Sequence, residues 1–108
     1  MGNRGSDVRR RQLKHRLEQV ETSCWLCGFP LVPNAEPFTD LYTEIDEETP
    51  VSKGGDPYGV SSPCHLTHRC CNLHKNNKKL EQGSLHDWFL ERFRLQQNQE
   101  AEPSQDWL

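Results

Sequence analysis

Two ligand-bearing pairs, far apart in the chain, constrain this sequence more than any other feature. Cys24-Trp25-Leu26-Cys27 is a C-x-x-C step followed by Gly28, and about 40 residues later His68-Arg69-Cys70-Cys71 offers an H-x-x-C step. One tight turn of the first kind grips a metal ion with two thiolates, and a second pair completes the four N/S ligands of a closed tetrahedral zinc site. The spacing from His68 favours Cys71 over Cys70 as the fourth ligand, which leaves Cys64 and Cys70 as free thiols. The chain needs such a staple: only 32% of its 108 residues are hydrophobic. A domain this short and this lean in apolar material is held by disulfides, a metal or a partner. Five cysteines are an odd count, and Met1-Gly2-Asn3-Arg4-Gly5 leads into charged residues with no apolar signal segment. Both facts favour metal over disulfides and a reducing, cytoplasmic setting. A redox role for the C-x-x-C fits poorly, because no βαβ pattern surrounds it. No apolar stretch approaches the roughly 18 residues of a membrane span.

The net charge of −3 conceals segregated blocks. Arg4, Arg9, Arg10, Arg11, Lys14 and Arg16 stand against Asp7 alone, whereas Glu36, Asp40, Glu44, Asp46, Glu47 and Glu48 form a stretch without Lys or Arg. Arg69, Lys75, Lys78 and Lys79 make a second basic block, and Glu100, Glu102 and Asp106 an acidic tail. A single charge run is ordinarily a solvated face. Two basic blocks flanking an acidic centre suggest more: basic surface tracks phosphates, and clustered carboxylates bind hard cations.

Periodicity divides the chain into a basic N-terminal helix or arm (1–22), a metal-stapled domain (23–80) and a C-terminal helix with tail (81–108). Leu13, Leu17 and Val20 give residues 7–22 an apolar stripe. Residues 38–45 have the β-branched and aromatic content of a strand, and Gly54-Gly55-Asp56-Pro57 marks a loop. Residues 65–79 are polar and helix-compatible. Ser84 and Asp87 resemble a capping box opening a helix with Leu85, Trp88, Phe89 and Phe93 on one face, a core stripe rather than a base-stacking platform.

Between the ligand pairs runs Asp46-Glu47-Glu48-Thr49-Pro50-Val51-Ser52-Lys53-Gly54-Gly55, and after it His68-Arg69-Cys70-Cys71-Asn72-Leu73-His74-Lys75. In order and spacing this resembles the HNH endonuclease family, specifically its small phage-type members, whose pattern is C-x-x-C, then D-H-x-x-P-x-S-x-G-G, then H-R-x-C-N-x-x-K. The resemblance spans residues 24–77 and implies an α+β fold: a zinc-stapled ββα-metal domain, treble-clef-like, with flanking N- and C-terminal helices. Zn²⁺ would sit on Cys24, Cys27, His68 and Cys71. A catalytic Mg²⁺ or Mn²⁺ would sit on Asp46 and Asn72, with Glu47 in the position of the family's general-base histidine. Asn72 stands where the final histidine often falls, and no asparagine occupies the middle position near Ser62-Pro63. Asp46 and Glu47 are neighbours, so a regular strand would turn them to opposite faces, and only a strand end or bulge would let both serve one centre. The resemblance implies DNA phosphodiester hydrolysis in a host cytoplasm, with Arg9, Arg10, Arg11, Arg69, Lys75, Lys78 and Lys79 holding double-stranded DNA. Phage terminase or portal proteins are the further partners it suggests. The rival reading is a catalytically idle zinc module that binds nucleic acid or protein.

Overall fold

The computed structural model describes residues 3–94. Helix α1 spans Asn3–Glu18, strand β1 Thr43–Glu47, strand β2 Cys64–His68 and helix α2 Arg69–Lys75, with a 3-10 turn at Val51–Lys53. A last helix, α3, occupies residues 86–94. The two strands pair antiparallel in an unbroken register from Thr43 opposite His68 to Glu47 opposite Cys64. This is a small α+β unit in which strand, strand and helix follow one another, and α2 packs back on β1 and β2. Among the described residues no helix is long and apolar enough to cross a membrane.

Several boundaries differ from the sequence expectation for local reasons. Helix α1 ends at Glu18, and Val20 lies beyond it, mostly exposed. The following residues are drawn into a separate hairpin, where Leu31 N–H donates to the Thr22 carbonyl and Ser23 bridges Pro30. Only Leu13 of the expected stripe is buried. The strand expected over 38–45 starts at Thr43, since Phe38 has a φ of 67° and 83% exposure, and Thr39 and Tyr42 close successive turns. Residues 65–68 are strand, not helix, and α2 stops where Asn76 takes a φ of 56°. The capping-box helix begins two residues after Ser84; Leu85 instead donates its N–H to the Leu26 carbonyl. The tail beyond Gln96, with Trp107 and Leu108, lies outside the described residues.

The core forms around the cysteines. Cys24, Leu26, Cys27, Cys70, Cys71, Leu85 and Phe89 make one buried cluster, flanked by Trp25, Phe29, Leu31, Leu41, Leu80 and Trp88. Leu66 of β2 is fully buried. Hydrogen bonds from Trp25 N–H to the Leu66 carbonyl and from Gly83 N–H to the Trp25 carbonyl fix the C-x-x-C turn between β2 and the approach to α3. Apolar burial is thus concentrated where the ligand pairs meet.

One glycine in the β1–β2 loop is set by close approach. A Cβ on Gly55 would lie 1.7 Å from the Thr49 carbonyl oxygen. Because that neighbour is backbone, it cannot swing away. Gly55→Ala is expected to cost about 1–3 kcal/mol, the range for overpacking, read as a lowered midpoint in urea denaturation; an unchanged midpoint would contradict this.

Candidate metal centre

The C-x-x-C turn is built by its own backbone. Gly28 N–H donates to the Cys24 carbonyl at 2.8 Å, Cys24 N–H donates to the Phe29 carbonyl at 2.9 Å, and Gly28 takes a φ of 82°. A left-handed residue at this position is what glycine supplies without steric cost. The second pair straddles a junction: His68 ends β2 and Cys71 lies in the first turn of α2. All four side chains are buried, and their ligand atoms lie within 4.8 Å of one another. Tetrahedral ligands at zinc distances are separated by roughly 3.5–3.8 Å, so closure onto an ion requires only small movements. Cys27 Sγ and His68 Nδ1 are already 3.3 Å apart.

The imidazole is oriented for this task. His68 Nε2 is 2.9 Å from the Pro30 carbonyl; a carbonyl can only accept, so Nε2 carries the proton and Nδ1 faces the sulfurs. Metal-bound histidines are fixed in this way by a hydrogen bond from their other nitrogen. The ring also stacks on Phe89 at 4.9 Å, which itself stacks on Phe29 at 5.2 Å. The sulfurs share charge unevenly. Hydrogen bonds with Cys27 and Cys71 hold Cys24 far below the ordinary thiol range, while Cys24 and Cys27 push Cys71 far above it. Three thiols this close ionise together only on a cation. The donor set, three sulfurs and one nitrogen, suits zinc. Cys64 and Cys70 are buried but outside the cluster, as the spacing implied; burial pushes the Cys64 thiol up to about 11.

The acidic strand is arranged differently from the expected catalytic centre. β1 is regular through Glu47, so its side chains alternate. Glu44 and Asp46 face α2, whose Arg69, Asn72 and Lys75 recur at helical spacing. Arg69 Nη1 and Asn72 Nδ2 each donate to Glu44 at 3.1 Å, and Lys75 Nζ donates to Asp46 Oδ1 at 2.8 Å. Glu47 turns the other way and accepts from Arg10 of α1 at 2.7 Å. The structure therefore does not bring Asp46, Glu47 and Asn72 to one centre. The Asp46 side chain is 3% exposed and Lys75 is 2% exposed, and the ammonium also donates to the Glu47 carbonyl at 2.9 Å. Burial pushes the Asp46 carboxyl up, against the pull of Lys75.

The residues expected to hold DNA divide in the same way. Lys75 is buried, Arg10 and Arg69 are paired with acids, and Arg9 lies over the Tyr58 ring at 3.7 Å. Arg11, Lys78 and Lys79 are exposed and have no partner among the described residues. His74 is exposed and stacked on Trp88. His65 is held between Glu21 and Glu48 at 3.2 and 3.1 Å and stacked on Trp25. Lys75 as an internal partner of β1 was not read from the sequence. The signal was the i, i+3, i+6 spacing of Arg69, Asn72 and Lys75 opposite the alternating acids Glu44 and Asp46.

Fold and cluster together define a small α+β domain organised around a Cys3His cluster that can bind a metal ion. No family model matches the chain, and no match was found among curated proteins or solved structures.

Proposed function

We propose that the chain is a zinc-stapled ββα domain of HNH type that binds the nucleic-acid backbone and has no working hydrolytic centre on Asp46. One observation carries the second half of this reading: Asp46 is buried and neutralised by Lys75. A carboxylate that is to hold a catalytic cation needs access for the ion and the phosphodiester, whereas Asp46 is 3% exposed and its Oδ1 is taken by the Lys75 ammonium. The zinc reading rests on four buried N/S donors converging from a C-x-x-C turn and a strand–helix junction. The ββα reading is supported by the order β1, β2, α2, with only the Val51–Lys53 3-10 turn between the strands and the cluster at the β2–α2 joint. Nucleic-acid binding rests on Arg11, Lys78 and Lys79, whose charges are left over once internal pairing is satisfied. Such cations contact phosphate without reading bases.

Two measurements on the zinc-loaded chain test this. Duplex DNA affinity should fall with rising salt, and each of Arg11→Ala, Lys78→Ala and Lys79→Ala should reduce that log–log slope by about 1. Absence of salt-sensitive binding would refute the partner. In a plasmid-nicking assay with Mg²⁺ or Mn²⁺, wild type should cut no faster than Asp46→Ala or Glu47→Ala. Cleavage by wild type that both variants lose would establish the second reading, an active DNA endonuclease, which the strand–strand–helix order favours.

A further inference from the structure

A divalent ion between β1 and α2 does not fit the residues present, and the misfit is specific. The position between Asp46 and the end of β1 is taken by the Lys75 ammonium, which is bound by one carboxylate oxygen and one main-chain carbonyl. These are the ligand types a hard cation selects. Asp46 Oδ2, the other carboxylate oxygen, is buried and has no hydrogen-bond partner among the described residues. A second positive charge cannot approach this carboxylate without meeting Lys75 at short range. Glu44 is likewise taken up by Arg69 and Asn72, so the α2-facing side of β1 supplies its own countercharge throughout.

From this geometry we infer that Lys75 serves as a built-in cation: its ammonium takes the place of a divalent ion at Asp46, making the β1–α2 joint independent of Mg²⁺ and Mn²⁺. The ion pair stands on its own distances; only the comparison with a divalent ion rests on the ββα reading. The consequence is a latent site. Shortening Lys75 would leave the Asp46 carboxylate, with both oxygens free, and the Glu47 carbonyl around a space that a divalent cation could enter.

The test uses the full zinc-loaded chain, with Mn²⁺ as the probe. A Cys3His site prefers zinc to Mn²⁺, so the added ion reports on oxygen ligands. Wild type should bind no Mn²⁺ through Asp46, seen as a paramagnetic resonance signal and a Mn²⁺-induced change in melting temperature that are the same in wild type and Asp46→Asn, whatever the variant's own stability. Lys75→Ala should bind Mn²⁺ on the order of 100-fold more tightly than wild type, because a like charge has been removed from contact distance, and its melting temperature should rise with Mn²⁺. That rise should vanish in Lys75→Ala/Asp46→Ala. Lys75→Gln removes the charge but keeps most of the side chain's length and an N–H donor, and covers the case in which the alanine variant is unfolded without metal. Refolding of Lys75→Ala on Mn²⁺ would support the inference. Mn²⁺ bound through Asp46 in wild type would overturn it, as would a folded Lys75→Ala that ignores Mn²⁺. So would a Lys75→Ala that stays unfolded at every Mn²⁺ concentration while a folded Lys75→Gln also fails to bind. DNA affinity, measured alongside, reports separately on the proposed partner.

Discussion

If the Cys3His cluster holds zinc as proposed, removing that ion with a chelator is expected to abolish the cooperative fold rather than loosen it. The ligand cluster and the main apolar cluster share Cys24, Cys27 and Cys71, which pack with Leu26, Leu85 and Phe89. Among the described residues, Leu66 and Leu13 are the only large apolar side chains buried outside it. Apparent zinc-binding free energies of about 10–16 kcal/mol in small zinc domains are folding free energy, and a small domain is stable by only about 5–15 kcal/mol. The staple also closes a loop of about 40 residues, whose chain entropy alone is worth roughly 4 kcal/mol. Cys71→Ser should behave like the chelated wild type. Circular dichroism during chelation, with released zinc measured in parallel, checks this. A metal-free chain that still melts in one sharp transition would show that the apolar cluster suffices.

Breaking the ion pair between β1 and α2 on one side should be the largest effect that leaves zinc in place. Asp46→Ala leaves the Lys75 ammonium almost fully buried with only the Glu47 carbonyl for company, and removing one member of a buried pair costs about 3–5 kcal/mol. Replacing both members by apolar residues of similar volume, Asp46→Leu with Lys75→Met, removes the uncompensated charge. The double variant should return to within about 1–2 kcal/mol of wild type or exceed it. Urea denaturation of all four zinc-saturated proteins gives the coupling energy. Losses that simply add would mean that Asp46 and Lys75 do not depend on one another.

The metal cluster was legible in the sequence because its information is local. C-x-x-C-Gly and H-x-x-C each place two ligands by spacing alone, and the structure brings Cys24, Cys27, His68 and Cys71 together while leaving Cys64 and Cys70 outside. The alternation rule likewise foresaw that a regular β1 would separate Asp46 from Glu47, as its unbroken register does. Charge pairing was not legible. Lys75 reads as one member of a basic block, and only the docking of α2 on β1 turns it inward. Arg10 meets Glu47 across 37 residues of chain, a contact that no window of sequence contains. Strand boundaries moved for the opposite reason: backbone turns at Phe38 and Thr39 override the β-propensity of the side chains there.

The ligand pairs lie on either side of the loop that carries Val51–Lys53, and so do the two strands. The peptide link at that loop is therefore one of several bonds between the halves, alongside the β1–β2 ladder and, in the proposed zinc-bound form, the shared ion. A protease that opened the chain at the exposed Lys53 would leave two fragments, neither with a full ligand set, held as one particle by coordination. In a chain with so little apolar material, the proposed ion would define which stretches of polypeptide count as a single molecule.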